Sequence, residues 1–455
     1  MDPRHRRFNH PASPLLAVLA VVGITAAPAA AQQQPPDSVA AELARLRARL
    51  DSLEALVREL RAAGQEEEAG DALSALRAAA QEAAGEGGPR PDTATDRQEF
   101  VGRQRSLQSL NPEISVTADA LGHLDTDDVD RENFVPREFE ISFQSSLDPY
   151  SRAKVFASVH NPGPELMPFE GAEEDGEAHA HDGPEVGVEE GYVEWVGLPG
   201  SINVKLGRFF QQFGQLNRWH SHALPTQGRS LPHLAFIGEE PLAQAGASVS
   251  WLVPVHGAGT WTATAELTRS SNEALFGESR GVSVLGNLNG FWQLTDASDL
   301  DLSLSWTNGS YEDETSLFDR NLFGAEAAFT WRPPARALYR GVVVRAGAML
   351  LDGLGPREVA AGADDTDRAL GLWSYAEVRL GRQWYVGSRA DWTEDPLDPD
   401  RTAWLVAPTL TWWQSEWVRL RLEYDVLGRS PAGDDEGHLW LQVTYAMGPH
   451  KHETY

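Results

Sequence analysis

The sequence predicts an all-β protein: a transmembrane antiparallel β-barrel of about sixteen strands, preceded by an N-terminal α-helical coiled-coil segment. Three observations lead there. Most of the chain after residue 113 alternates apolar and hydrophilic residues with a period of two. The 455 residues include 15 Trp and 41 Gly, yet the mean hydropathy is negative. A barrel in lipid reconciles these, because it needs apolar side chains at only half of its strand positions. Finally, short and long connections take turns along the chain.

Composition excludes several classes. The 67 acidic side chains against 38 basic ones leave a formal charge of −29, whereas a strong nucleic-acid binder has the opposite excess. With no cysteine, disulfide scaffolds and thiolate zinc sites are ruled out. No stretch reaches about 18 uninterrupted apolar residues, which argues against a bundle of membrane-spanning helices.

The first element, residues 1–31, reads as an export signal. Arg4, Arg6 and Arg7 form a basic start, Leu15 to Ala27 an apolar run, and Ala29-Ala30-Ala31 a small-residue exit before Gln32. That is the three-part secretory pattern. The apolar run is shorter than the roughly 20 residues a spanning helix needs; the alternative is a short N-terminal anchor. Without a cysteine, lipoprotein processing cannot occur. An exported, acidic chain with no spanning helices belongs in the periplasm or the bacterial outer membrane, and the barrel pattern favours the latter.

Residues 32–63 come next as a predicted periplasmic coiled coil. Leu43, Leu50 and Val57 fall at a positions, and Val39, Leu46, Leu53 and Leu60 at d positions. Glu42 with Arg47 and Arg49 with Glu54 give opposite charges across g and e positions of parallel neighbours. The alternative is an amphipathic helix packed on its own domain. So short a coil is marginal alone, so it would support an oligomer held elsewhere. Residues 64–112 form an Ala-, Glu- and Gly-rich linker, with Gly87-Gly88-Pro89 and Pro91 as its breakers.

Residues 113–455 carry the barrel. Phe139, Ile141 and Phe143 alternate with Glu138, Glu140, Ser142 and Gln144. Leu300, Leu302, Leu304 and Trp306 alternate with Asp301, Ser303, Ser305 and Thr307, and Val418 to Asp425 repeats the pattern. A soluble sandwich would also alternate. Clustered aromatics at strand ends (Trp384 with Tyr385, Trp412 with Trp413) favour the girdles of a membrane barrel. Asp148-Pro149-Tyr150 and Leu198-Pro199-Gly200 are tight turns, whereas 161–185 and 210–241 are long loops. About sixteen strands leave an aqueous channel, whereas a plugged receptor of about 22 strands would need a longer chain.

The run Arg137-Glu-Phe-Glu-Ile-Ser-Phe-Gln, then Leu147-Asp-Pro-Tyr, Val188-Glu-Glu-Gly-Tyr-Val-Glu-Trp and Val204-Lys-Leu-Gly-Arg-Phe-Phe-Gln-Gln-Phe-Gly, is distinctive. With Asn217-Arg-Trp-His-Ser-His and Gly238-Glu-Glu-Pro-Leu, it resembles bacterial outer-membrane porins of the phosphate-selective porin O/P type. Within these it is most similar to a subgroup labelled zinc-regulated outer-membrane receptors. The resemblance covers residues 134–254, and it implies a sixteen-stranded, usually trimeric barrel passing small solutes. Phosphate selectivity does not carry over, because no ladder of Arg and Lys can be matched here.

The expected pore-lining residues are Lys205, Arg345, Glu377, Arg379, Arg389, Asp391, Arg419, Arg421, Glu423 and Asp425, with Glu190, Glu194, Glu266 and Glu326 also inward. Acids outnumber bases in this set, which points mildly to cations or neutral solutes.

Histidine supplies the sharpest local signal. His179/His181, His220/His222 and His450/His452 are H-x-H pairs, and i and i+2 side chains of an extended segment point the same way. Imidazole with carboxylate suits Zn2+, nickel or copper, so His179, His181, His220 and His222 are the candidate metal ligands. For the acidic loop around His179 the alternative is a solvated surface; for His220 and His222 it is a structural role, fixing an inward-folded loop to the wall. His450 and His452 belong to a tail that ends at Tyr455. No G-x-S-x-G elbow, P-loop or H-E-x-x-H occurs, so no enzyme and no resident cofactor are expected.

The expectation is therefore an outer-membrane channel for passive diffusion of small solutes or ions, a homotrimer in contact with outer-membrane lipid. The alternatives are a metal-ion receptor using the H-x-H loops, and a structural tether using the coil.

Overall fold

The computed structural model describes residues 112–125, 134–161, 166–169, 184–255, 257, 259–313, 317–354, 368–398, 400–431 and 435–448. The export signal, the coiled coil, the linker up to residue 111, the His179/His181 segment and the His450/His452 tail lie outside the described residues.

Sixteen strands succeed one another. They begin with β1 (Glu113–Asp125), β2 (Phe134–Ser146), β3 (Ser151–His160) and β4 (Glu185–Leu198). Next come β5 (Ile202–Phe210), β6 (Ala243–Val253), β7 (Thr260–Arg269) and β8 (Val282–Thr295). The third group is β9 (Ser298–Glu312), β10 (Leu317–Trp331), β11 (Gly341–Asp352) and β12 (Arg368–Arg379). The chain finishes with β13 (Trp384–Glu394), β14 (Thr402–Trp413), β15 (Val418–Ser430) and β16 (Glu436–Met447). Each strand pairs antiparallel with its sequence neighbours, and β1 pairs with β16, from Val116 opposite Met447 to Asp125 opposite His438. The sheet is a closed barrel, as the sequence predicts. Closure leaves no strand edge, which lipid requires because it offers no partner to a bare N–H or C=O.

Alternation divides the wall. Phe139, Ile141 and Phe143 on β2, Leu302, Leu304 and Trp306 on β9, and Leu422 and Tyr424 on β15 face outward and are exposed. Their neighbours Glu138, Glu140, Ser303, Ser305, Glu423 and Asp425 face inward and are buried. At the closing seam, inward Asp119 of β1 pairs with Arg137 and accepts hydrogen bonds from Gln442 (3.0 Å) and Thr444 (2.6 Å) of β16. On the outer face, Trp384 stacks on its cross-strand partner Trp412 at 6.0 Å.

Turn chemistry sets the short end. Asp148 accepts hydrogen bonds from the Ser151 hydroxyl and from the Tyr150 and Ser151 amides, each at 2.7 Å. These hold its carboxyl below the usual range, the Ser151 hydroxyl contributing most. Gly200 at φ 86° lets the chain reverse between β4 and β5.

Among the described residues the register shifts at four places, and the bulges on β2 and β4 are the two that bear on the site. Asp119 pairs with Glu138 but Leu121 with Val135, so β2 carries an extra residue at Pro136–Arg137. Proline lacks an N–H and is at home in such a bulge. On β4, Phe156 faces Glu190 while Ala157 faces Val188, which leaves Glu189 as the extra residue. Each bulge breaks strict alternation, so two successive polar residues turn toward the lumen.

Candidate functional site

The long connection between β5 and β6, residues 211–242, does not project away from the barrel but folds into it. Its sequence explains why. Phe213, Leu216, Leu224, Leu231, Leu234, Phe236, Ile237 and Leu242 are too apolar to leave in water, and all are buried. The loop contains a 3-10 turn at Leu216–Arg218, another at Ser221–Ala223, and the short helix α1 (Leu231–Phe236). Phe213, Phe236, Ile237 and Leu242 pack against Leu275 and Phe276 of helix α2 (Glu273–Phe276), and against the inward residues Leu322, Met349 and Leu351. Asn272 caps α2 by accepting from the Leu275 amide at 2.8 Å. Leu231 and Leu234 sit on Ala403, Leu405 and Ala407, an apolar inward stripe of β14.

Inward glycines make room for this packing. A Cβ on Gly371 of β12 would stand 2.5 Å from Pro232 and 3.1 Å from Phe236, and one on Gly324 of β10 would stand 2.8 Å from the Phe213 ring. Gly371→Val is therefore expected to lift α1 off the wall and destabilise the barrel by about 1–3 kcal/mol. A thermal melt of the refolded protein reads this; an unchanged melting temperature would mean that α1 does not bear on β12.

A buried loop must find partners for its backbone, and here charged wall residues supply them. The amides of Gln212, Gln215, Gln227 and Leu231 donate to Glu266 (3.3 Å), Glu326 (2.6 Å), Glu423 (2.8 Å) and Asp391 (3.0 Å). Arg389 donates to the Gly228 and Arg229 carbonyls at 2.7 and 3.1 Å, and Arg419 to that of His222 at 2.5 Å. Arg421 and Arg137 donate to the carbonyls of Leu224 (3.0 Å) and Gln227 (2.6 Å). The loop is thus clamped to β2, β7, β10, β13 and β15, on opposite sides of the barrel.

Of the residues singled out from sequence, Arg389, Asp391, Arg419, Arg421 and Glu423 face the lumen and are engaged by the loop. Arg345 also reaches it, bonding Gln215 and lying 4.6 Å from the Trp219 ring centre. Asp425 accepts from the Trp440 indole at 3.0 Å, and Glu377 from the Tyr375 hydroxyl at 2.8 Å. Arg379 sits at the rim and donates to the Gly381, Arg382 and Ala337 carbonyls.

Lys205 has a different setting. It lines a cavity of about 600 Å3 on the short-turn side of the loop, walled by the turn-side halves of β1 to β9. Arg152, Lys154, Lys205 and Arg218 face Glu113, Glu194, Glu266 and Asp301 there, among Ser, Thr, Asn and Gln side chains. Arg152 and Glu194 are an ion pair at 2.6 Å. The vestibule is wet in character and close to balanced in charge.

His220 and His222 come to the wall beneath the loop. His220 Nδ1 lies 2.7 Å from Oε2 of both Glu140 and Glu189, and Nε2 lies 3.4 Å from Glu190. His222 Nδ1 lies 3.4 Å from Glu138. Burial pulls the His220 pKa down, but Glu140 and the hydrogen bonds to Glu140, Glu189 and Glu190 outweigh it and raise it well above the usual imidazole value. Nearby His233, hydrogen-bonded to Ser230 at 2.7 Å, goes the other way: burial, then Arg229, pushes it to about 3. The sequence pairs His220 with His222, and the structure adds the glutamates. Glu138 and Glu140 are legible as inward by alternation, whereas Glu189 is not, because the bulge brings it in.

No family model matches the chain. An uncharacterised protein of Aquifex aeolicus is 38% identical over 97 residues, which is 21% of this chain and 20% of that protein. Among solved structures, the anion-selective porin from Comamonas acidovorans matches with a TM-score of 0.51 at 12% identity, covering 74% of this chain and 99% of that one. OprB of Pseudomonas putida matches with a TM-score of 0.50 at 11% identity, covering 76% and 96%. The chain has the closed sixteen-stranded fold of outer-membrane porins.

Proposed function

We propose that this protein is an outer-membrane channel for passive diffusion of small solutes or ions, with residues 211–242 as its constriction. One observation carries the reading: a closed barrel, apolar outside and charged inside, holds a polar vestibule that ends on an inward loop clamped to opposite walls. Sixteen strands enclose more space than wall side chains fill, and an inward loop narrows that space to a size at which charge and shape select solutes. The near balance of acids and bases in the vestibule favours weak ion preference, and no cationic ladder supports phosphate selectivity. The resemblance of residues 134–254 to porin O/P-type channels supports the same reading, and with it a homotrimer.

Planar-bilayer recording of the refolded protein tests it. Discrete ion-conducting steps are expected, with a reversal potential close to zero in a salt gradient. The absence of any conducting step from correctly folded barrels would overturn the channel reading.

A further inference from the structure

We propose that Glu140, Glu189 and His220 bind a divalent first-row transition-metal ion that fastens the constriction loop to β2 and β4. The donor atoms come from three separate parts of the chain, and they lie within 4.8 Å of one another. Zn–N and Zn–O bonds are about 2.0–2.2 Å, which places donors around one ion roughly 3.3 Å apart. From 2.7 Å between His220 and each carboxylate, those two separations need to open by well under an ångström. A second triad, Glu138, Glu140 and His222, shares Glu140 and lies alongside.

Two further observations favour an ion here over a simple cluster of polar groups. Glu140 is 1% exposed, and its Oε1 accepts no hydrogen bond among the described residues. Such a buried oxygen costs free energy unless a cation or a donor meets it. In addition, Glu138, Glu140, Glu189 and Glu190 bring four carboxylates against two imidazoles. The patch is rich in carboxylate oxygens, which a divalent cation would offset. The bulge at Glu189 is what crowds the fourth carboxylate into the patch.

The surroundings are built to hold the ring still. Phe156 and Phe210 pack against the His220 imidazole with centroids 4.7 and 4.6 Å away. Imidazole and carboxylate donors without thiolate suit Zn2+, Fe2+ or Mn2+. Its ligands are Glu140, Glu189 and His220, and its role is to pin a loop and not to collect ions from outside.

The test uses the full refolded chain loaded with Zn2+, dialysed against metal-free buffer, and assayed for retained zinc and by chelator competition. One tightly held zinc per chain is expected. Glu140→Gln, Glu189→Gln and His220→Ala should each weaken it at least about tenfold, while the His179→Ala/His181→Ala double variant keeps it. Retention of zinc by Glu140→Gln equal to wild type, loss only in the His179→Ala/His181→Ala variant, or no retention by folded wild type would each overturn the proposal. Where the buried variants do not fold, the zinc X-ray absorption spectrum of the His179→Ala/His181→Ala protein decides. Imidazole scattering within a mixed N/O shell supports the site, and a hydrated all-oxygen shell refutes it.

Discussion

Replacing residues 212–241 with a short Gly-Ser linker is expected to raise single-channel conductance by about threefold or more, because the remaining barrel is an open tube. The deletion is geometrically mild. Phe210 and Ala243, which bound the loop, are register partners on adjacent strands, about 5 Å apart in the hydrogen-bonding direction. Strand pairing on both sides of the loop is local, so the barrel can close without it, though with less stability. What the deletion removes is everything that crosses the lumen: the apolar packing of Phe213, Leu231 and Phe236 and the clamps from Glu266, Glu326, Asp391 and Glu423. Conductance equal to that of the intact chain would show that the flow is limited elsewhere.

The second large effect is expected from Arg389→Ala. Arg389 donates to Thr226 Oγ1 (3.0 Å) and to the carbonyls of Gly228 (2.7 Å) and Arg229 (3.1 Å), and its Nε lies 3.3 Å from Asp391. Asp391 in turn accepts from the Leu231 amide. Truncating the arginine strands a buried carboxylate and several loop acceptors, a defect of about 3–5 kcal/mol. The β13 wall is held by pairing with β12 and β14, so the loss falls on the loop. Unfolding at a lower temperature and a noisier, larger conductance are the expected signatures. Arg389→Lys should be intermediate, since an ammonium keeps the charge but loses the guanidinium fork. A variant indistinguishable from wild type in both measurements would show that the loop is held without this clamp.

Much of the barrel is legible in the sequence because alternation is a local property. A residue such as Ile141 or Leu304 points outward since its neighbours on either side point inward, and no distant contact is needed to say so. The loop at 211–242 is visible in the sequence as a long connection, and its apolar residues hint at burial. Its path is not visible there, because Leu231 sits on Leu405 and Phe213 beside Gly324 only once the barrel has closed. The same holds for the clamps. Arg389, Arg419 and Glu423 read as inward charges from their strands, but a strand pattern does not say whether water or a backbone carbonyl will meet them.

The class of architecture, an approximate strand number and the two faces of the wall were therefore readable without the fold, because they come from period-two patterning and turn residues. Tertiary structure alone decided where the lumen is crossed and which side chains converge there. The reason is physical: the extra residues at Pro136–Arg137 and Glu189 reverse the facing rule locally, and sequence alternation carries no signal for an inserted residue. The bulge on β4 brings Glu189 to His220 beside the Glu138 that meets His222, and a loop from between β5 and β6 meets carboxylates from β2 and β4 only because the sheet curves round to present them.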